Sequence, residues 1–204
     1  MAIPTTEIIF LPPTAAFIAN PSIVYPAFDI VLKTEGLIAP VYHGLQIEPN
    51  AAGQTDGAFF FLNWETLDHH AALMKAANYP TLISHLLPAF DGETKMYHVK
   101  FSDLPVALEK PVTEILVLTL NAEENRAKVV EILSKISEAS EKMLVFGETV
   151  EDKNKIILIG GWVSVEAHWE MVKKPEVKAA LDLLYSLANK ELIVHTKLTK
   201  YSGN

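Results

Sequence analysis

Apolar residues recur along the second half of the chain, first with the spacing of a helix and then with that of strands. Val129, Ile132, Leu133 and Ile136 follow the i, i+3, i+4, i+7 spacing that places side chains on one face of a helix. Short apolar runs bounded by turn-rich segments lie on both sides of this helix and are typical of β-strands. A weaker counterpart helix is predicted over 28–36 in the first half. The pattern predicts a chain that mixes helices and strands.

Four segments of the first half return in the second half in the same order. The repeated pairs are TEIIFL and TEILVL, VYHGL and LVFGE, NWETLDHH and GWVSVEAH, and YHVKF and VHTKL. The offset between the members of a pair falls steadily from 107 to 97, as small loop insertions in the first copy would produce. The chain is therefore predicted to hold two copies of one module, at residues 1–104 and 105–204.

Each copy has the element order β-α-β-β-α-β, which is that of a ferredoxin-like module. Thr66 and Ser164 are predicted to open equivalent helices as N-caps. Pro80 and Pro175 are predicted to begin the next helical segment of each copy. The strand at 58–63 carries phenylalanine on both sides, so both faces of its sheet need a cover. The predicted fold class is α+β, with two ferredoxin-like modules packed sheet to sheet.

With this element order, the chain resembles the dimeric α+β barrel superfamily as a tandem pseudo-dimer. The superfamily includes antibiotic-biosynthesis-type monooxygenases, stress-responsive A/B-barrel proteins and plant polyketide cyclases of the olivetolic acid type. The resemblance covers nearly the whole chain and also rests on a Trp-x-Thr/Ser-x3-His signature that ends at His70 and at His168. It implies an oxygenase, cyclase, isomerase, lyase, haem enzyme or ligand binder. The cyclases use a His-Pro-x-His motif; the similar place here keeps Pro80, begins with Tyr79 and lacks the final histidine.

Charge, cysteine content and motifs exclude several classes of protein. The net charge is −8 and the largest basic cluster is a pair of lysines, so nucleic-acid binding is not expected. No apolar run is long enough to span a membrane, and the N-terminus lacks the basic region of a signal peptide, so a cytoplasmic location is expected. The chain has no cysteine, no H-x-x-x-H motif and no Gly-rich phosphate loop. Neither a metal site nor a cofactor is predicted.

His70 lies on the apolar stripe of the helix that Thr66 opens, together with Leu67 and Met74. The second copy places His168 in the same position. In one interpretation, the inward histidine is a buried neutral imidazole with a structural hydrogen bond. In the other, it is a general acid or base beside a pocket. Burial and the helix N-terminus both disfavour the imidazolium, so we expect a neutral ring.

Two further histidines belong to the first copy alone. His85 aligns with Ala180, and His43 aligns with Phe146. His85 is either a catalytic partner of His70 or a partly exposed helix histidine. His43 would project from the second strand as a further candidate partner of His70. His98 recurs as a histidine in the last strand of the second copy, and a shared structural role is favoured for it.

The first copy holds five of the seven histidines and thirteen of the eighteen aromatic residues. This asymmetry predicts a pocket in the first copy for a hydrophobic or aromatic small molecule. The alternative is that the first copy packs its core with more aromatic residues. The predicted catalytic residues are His70, His85, Tyr79 and His43. The predicted substrate-binding residues are Phe10, Tyr42, Phe61, Trp64, Tyr97 and His98.

The sequence thus predicts a cofactor-independent enzyme that acts on a hydrophobic or aromatic small molecule by histidine-mediated acid/base chemistry. Cyclisation, isomerisation or lyase-type cleavage are the expected reactions, with secondary metabolism as one setting. A non-catalytic stress-related or small-ligand-binding protein is the first alternative, and a cofactor-free monooxygenase is the second. Whether the pseudo-dimeric chain forms a homodimer is left as an open alternative. The enzyme hypothesis requires a closed pocket in the first copy, with two polar side chains within hydrogen-bond reach.

Overall fold

A computed structural model describes residues 2–49, 53, 55 and 57–203. The chain divides into two compact units, Met1–Val99 with Leu198–Asn204, and Lys100–Lys197. The boundary lies five residues before the one expected from the repeat. The backbone amide of Ser102 donates to the carbonyl of Phe146 at 2.7 Å, which attaches this segment to the second unit. No helix of the described residues is long and apolar enough to cross a membrane.

The first unit is a five-stranded antiparallel sheet in the order β4-β1-β3-β2-β9. Its strands are β1 (Thr5–Leu11), β2 (Leu37–Leu45), β3 (Ala58–Trp64), β4 (Lys95–Val99) and β9 (Thr199–Tyr201). Its helices are α1 (Ala15–Ala19), α2 (Tyr25–Leu32), α3 (Leu67–Met74) and α4 (Tyr79–Leu86). The helix predicted over 28–36 begins earlier, and α1 precedes it. Thr14 caps α1 by accepting a hydrogen bond from the amide of Phe17 at 3.1 Å.

The second unit is a four-stranded antiparallel sheet in the order β6-β7-β5-β8. Its strands are β5 (Val112–Leu120), β6 (Leu144–Glu148), β7 (Lys155–Trp162) and β8 (Ala188–Thr196). Its helices are α5 (Arg126–Ala139), α6 (Val165–Val172) and α7 (Pro175–Leu187). Read from the other edge, the strand order matches β4-β1-β3-β2 of the first unit. The prediction of an α+β fold made of two ferredoxin-like modules is confirmed.

In each module one face of the sheet packs against the helices. Strand alternation decides which side chains lie on that face, because neighbours across antiparallel strands point the same way. In the first module the helix-facing core includes Phe17, Phe28, Phe60 and Trp64. The corresponding core of the second module is mainly aliphatic and contains Leu116, Leu118, Val129, Leu133 and Leu158. The two modules thus share a backbone plan but differ in the volume of the side chains that fill it.

Candidate active site

Four polar or amphipathic side chains form a buried cluster on the helix-facing side of the first sheet. The indole Nε1 of Trp64 donates a hydrogen bond of 2.8 Å to Oε2 of Glu7. Nε2 of His70 lies 3.6 Å from the other oxygen, Oε1, of the same carboxyl group. On the far side of its ring, Nδ1 of His70 lies 2.7 Å from Nε2 of His98. The four residues are at most 6% exposed, so the cluster is withdrawn from solvent.

Regular secondary structure brings these four residues together. Glu7 in β1 is the register partner of His98 in β4, so their side chains share one face of the sheet. Trp64 ends β3 on the same face, and its backbone leads into α3 through Thr66. His70 lies on the side of α3 that faces the sheet, as the helical spacing predicted. The ring of His70 therefore lies between the carboxyl group and the second imidazole.

The second module repeats the cluster with Glu114, Trp162, His168 and His195. Trp162 Nε1 donates to Oε2 of Glu114 at 2.8 Å, and Nε2 of His168 lies 3.5 Å from the same oxygen. Nδ1 of His168 and Nε2 of His195 are 2.9 Å apart. Glu114 and His195 are register partners, as Glu7 and His98 are. The carboxyl–imidazole–imidazole chain is therefore a property of the module.

Burial changes the ionisation of the second cluster in a way that suits proton transfer. Burial raises the pKa of Glu114 to about 7, against a smaller lowering effect of the hydrogen bond from Trp162. Burial, followed by the neighbouring His195, lowers the pKa of His168 to about 3. His168 is therefore neutral at pH 7, as expected for an inward histidine, whereas Glu114 titrates near neutral pH. Of the two groups, the carboxyl group of Glu114 is the one whose charge changes near neutral pH.

Each cluster also contains the ligand types of a transition-metal site, one carboxylate and two imidazoles. The two imidazoles of each cluster lie within hydrogen-bond distance, at 2.7 and 2.9 Å, whereas the central ring lies 3.6 and 3.5 Å from a carboxyl oxygen, beyond the usual length of a hydrogen bond. In each module the central ring faces the second imidazole with Nδ1 and the carboxyl group with Nε2. A single ion would need one nitrogen of that ring and the carboxylate to converge on the same point. The central ring therefore bridges the carboxyl group and the second imidazole, one on each of its nitrogens.

A cavity of about 690 Å³ adjoins the cluster of the second module. Its polar end is formed by Glu114 and His168, with the indoles of Trp162 and Trp169 beside them. Side chains of α5, α6 and α7 form a mainly apolar wall, to which Tyr185 contributes a phenol. The volume is within the range of pockets that hold drug-sized ligands. The second module therefore joins a titrating carboxyl group to space for a hydrophobic molecule.

Two positions in β7 hold smaller residues than their counterparts in β3. Leu158 stands where the first module has Phe60, and Gly160 stands where it has Leu62. Leu158 lines the large cavity and Phe60 lines the small one, so the smaller side chain lies where the space is open. The space at Gly160 is already occupied, because a Cβ there would lie 3.0 Å from both Oε2 of Glu114 and Nε1 of Trp162.

The equivalent cavity of the first module measures only about 50 Å³. It adjoins Glu7 and His70, but Phe28, Phe60 and Leu62 occupy most of the available volume. The pocket expected in the first copy is therefore not what the structure shows. The aromatic excess of the first copy packs its core, which was the alternative interpretation. The larger cavity belongs to the second copy.

The structure separates the predicted catalytic residues of the first copy. His70 and Tyr79 both line the small cavity, but the side chain that meets His70 is His98. His43 packs among aromatic rings of the core, including Phe17, and burial lowers its pKa to about 4. His85 is half-buried in the last turn of α4 and is not among the described residues that line the cavity. The four residues thus do not form one site.

Four of the predicted binding residues point away from the helices. Phe10, Tyr42, Phe61 and Tyr97 lie on the opposite face of the first sheet, whereas Trp64 and His98 lie on the helix-facing side with the cluster. The six predicted substrate-binding residues therefore lie on two different faces of the sheet. The alternation of side chains along β3 could have revealed this division, because positions 61 and 64 are an odd number of positions apart and so face opposite sides of the sheet.

Sequence reasoning missed both glutamates. The sequence did contain a sign of them. The motif TEI recurs in the first strand of each copy and places a glutamate in two otherwise apolar strands. A buried carboxyl group that appears twice in a repeat needs a partner, and the repeated Trp and His supply it. Trp169 and Tyr185, which line the cavity, were also missed. Their counterparts in the first copy are different residues, so the repeat does not mark them.

No family model and no curated protein matches the chain. Among solved structures, a candidate monooxygenase from Fusobacterium nucleatum subsp. nucleatum superposes with a TM-score of 0.70 at 7% identity, over 100% of this chain and 99% of that one. An anthrone oxidase-like protein gives a TM-score of 0.70 at 11% identity, over 99% and 94% of the two chains. The chain has the tandem α+β fold of these proteins. A candidate chlorite dismutase shares the fold at 11% identity, with a TM-score of 0.55 over 98% and 96% of the chains.

Proposed function

We propose that the second module is a cofactor-independent enzyme that removes a proton from a hydrophobic, aromatic small molecule. The observation that carries this proposal is the buried carboxyl group of Glu114, with a pKa of about 7, at the wall of an apolar cavity of about 690 Å³. A base is most effective when its pKa lies near the working pH. The sequence predicted a histidine of the first copy as the base, and this proposal assigns that role to a carboxyl group of the second copy.

The imidazole chain behind Glu114 supports this role. When Glu114 is ionised, Nε2–H of His168 can point at the carboxylate, while Nδ1 of His168 accepts a hydrogen bond from Nε2–H of His195. This tautomer directs an N–H toward the carboxylate and so favours its ionised form, whereas burial favours the protonated form. His168 and His195 act as positioning residues in this scheme.

The phenol of Tyr185 suits a developing negative charge on the substrate. Burial, followed by the charge of Glu114, raises the pKa of Tyr185 to about 12, so its phenol keeps its proton at neutral pH. A phenol O–H can donate a hydrogen bond to an enolate or phenolate oxygen as charge develops there. The indoles of Trp162 and Trp169 offer flat surfaces for an aromatic ring. A planar carbon acid in the cavity would thus contact a base (Glu114), a hydrogen-bond donor (Tyr185) and a stacking surface (the indoles).

The structural neighbours support oxygenation as the fate of the carbanion, because they are named as a candidate monooxygenase and as anthrone oxidase-like. For a substrate CH₂ group, Glu114 takes one proton, and the carbanion transfers an electron to O₂ and combines with it to form a peroxide anion. The proton held by Glu114 then returns to this anion and gives a hydroperoxide. The peroxide then loses water and leaves a ketone, so that CH₂ and O₂ give C=O and H₂O. Cyclisation, isomerisation and cleavage begin with the same proton transfer but consume no O₂.

The test uses anthrone as a planar carbon acid. Proton abstraction is measured as deuterium uptake at its CH₂ group in D₂O without oxygen, and oxygenation is measured as O₂ consumption with mass analysis of the product. Glu114→Gln keeps the shape of the side chain but removes the base, and we expect both rates to fall by about 10²–10⁴-fold. Deuterium uptake without O₂ consumption would favour the cyclase, isomerase and lyase alternatives.

The repeat supplies a matched control. Glu7→Gln makes the same change in the first module, where the cluster faces almost no free volume, and we expect turnover to be retained. Equal rates in the wild type and in Glu114→Gln would contradict the proposal. A protein that binds anthrone in the cavity without deuterium uptake would be a ligand-binding protein, which is the alternative predicted from the sequence.

A further inference from the structure

One basic side chain at the cavity of the second module lacks an acidic partner. Lys190 in β8 contributes to the cavity wall, and its Nζ lies 5.1 Å from the centre of the Tyr185 ring. Among the described residues of the chain, no carboxylate forms an ion pair with Lys190. Its side chain is exposed, and its ammonium group lies over an aromatic ring in a cation–π contact. The cavity thus has a positive charge at its solvent side.

The other charges at the rim do not cancel this one. Lys135 forms a hydrogen bond of 2.6 Å with Glu131, and Lys178 forms one of 2.6 Å with Asp182, so both lysines are already neutralised. Glu176 lies in the first turn of α7, whereas Tyr185 lies near the end of that helix. Nine helical residues separate the two by about 14 Å. The rim near Lys190 therefore stays positive although the chain carries a net charge of −8.

The lysine and the base lie on neighbouring strands, at different heights along the sheet. Lys190 is the register partner of Leu118 in β5, and Glu114 lies four residues earlier in the same strand. Four residues of a strand span about 13 Å between Cα atoms. Because the lysine side chain can bend inward, a molecule of two or three fused rings is long enough to reach both groups. The wall between them is apolar and includes Leu116, Leu184 and Ile193.

From this arrangement we infer that the ligand of the cavity is an aromatic acid: a planar apolar ring system with a carboxylate or an ionised phenol that pairs with Lys190, while its reacting carbon lies at Glu114. This inference rests on the proposed function of the second module, because it assigns the other end of the same substrate. An aromatic ring system without a charge would fill the cavity but leave the lysine without a partner. The charge therefore sets the orientation of the substrate as well as its affinity.

The inference is tested with two ring systems of the same shape, anthracene-2-carboxylate and the neutral anthracene-2-carboxamide. Isothermal titration calorimetry gives the affinity of each for the full chain. We expect the carboxylate to bind about tenfold more tightly than the amide, as for a partly shielded charge-assisted hydrogen bond. The preference should fall as the salt concentration rises, because the ammonium group lies at the solvent side.

Three variants identify the lysine. Lys190→Gln should bind the two compounds equally, and Lys190→Arg should restore the preference for the carboxylate. Lys173→Gln removes a lysine that pairs with Glu170 and does not line the cavity, and it should keep the tenfold preference. Equal affinities in the wild type, or a preference that survives in Lys190→Gln, would overturn the inference.

Turnover of anthrone, measured in parallel, separates the two proposals. If Lys190 governs the preference but the protein takes up no deuterium into anthrone, the ligand class stands and the proposed enzyme fails. If Glu114 is needed for turnover but the wild type binds acid and amide alike, the enzyme stands and the substrate class is overturned. If neither compound binds, the assignment of the cavity to aromatic acids is overturned as well.

Discussion

At the scale of single residues, Glu114 and His168 respond to pH in opposite senses. The pKa of Glu114 rises from 4.5 to about 7 on folding, so the folded protein binds more protons than the unfolded chain between these values. Its contribution to stability is present below pH 4.5 and is lost as the pH rises through 7. The pKa of His168 falls from 6.5 to about 3, so its contribution is present above pH 6.5 and is lost toward pH 3.

Glu114→Gln separates the two effects, because it removes one titration and keeps the other. Relative to this variant, the wild type should lose free energy of unfolding, on the order of 3 kcal/mol, as the pH rises from about 4.5 to about 7. Urea unfolding at a series of pH values measures the difference. A difference that does not change with pH would mean that folding does not raise the pKa of Glu114.

The indole of Trp162 tunes the same carboxyl group. Its hydrogen bond lowers the pKa of Glu114, so Trp162→Phe should raise that pKa further. We expect the rising limb of the pH–rate profile, which follows ionisation of Glu114, to shift to higher pH in this variant. Trp64→Phe removes the corresponding bond to Glu7 and should leave the profile where it is. An unshifted profile in Trp162→Phe would contradict the role of Glu114 as the base.

Part of this site could be predicted from the sequence alone. The helical spacing correctly predicted that His70 and His168 face inward, because the stripe of an amphipathic helix is a local property. The partner of each histidine was not readable, since it lies on a strand 28 or 27 residues away. The shifted pKa of Glu114 depends on burial by the whole module, which no local pattern encodes.

At the scale of elements, β3 and β7 decide which module has a cavity. Both strands run between the same neighbours, but β3 places Phe60 and Leu62 on the helix-facing side where β7 places Leu158 and Gly160. The element order was predictable from the repeat. The open module was not, because it depends on how much volume a few side chains fill within a shared frame.

The role of the residue at this position, Phe60 in β3 and Leu158 in β7, is tested by giving each strand the residue of the other. Leu158→Phe should place a ring in the cavity and weaken the binding of anthracene-2-carboxamide by at least tenfold, without loss of stability, because the ring enters free space. The reverse change, Phe60→Leu, should lower the free energy of unfolding by about 1–2 kcal/mol, because the first module is filled. Calorimetric titration and urea unfolding measure the two effects. Unchanged binding in Leu158→Phe would mean that the ligand lies elsewhere.

At the scale of the whole molecule, the chain returns to its first module at its end. The strand β9 pairs with β2, and the hydroxyl of Tyr201 donates a hydrogen bond of 2.6 Å to Asp29 in α2. The ring of Tyr201 also stacks on Tyr25, with 4.1 Å between centroids. These contacts were not predictable from the repeat, since the first copy has no counterpart of β9.

Tyr201→Phe keeps the stacked ring and removes the hydrogen bond. We expect a lower urea midpoint and faster hydrogen exchange of the β2 amides that face β9, because Asp29 loses a donor and β9 is held less firmly. Exchange of the β7 amides in the second module should not change. Equal exchange of the β2 amides in both proteins would show that stacking and strand pairing suffice to hold β9.

The return of β9 also determines how the two modules can be produced as separate fragments. A cut between Val99 and Lys100 leaves the N-terminal fragment without its fifth strand, and β2 becomes an open edge that invites edge-to-edge association. The span from Lys100 to Lys197 contains all four strands of its own sheet and every residue of its cavity. That span therefore carries the whole candidate site, whereas the sheet of the first module needs residues 198–203 for its fifth strand.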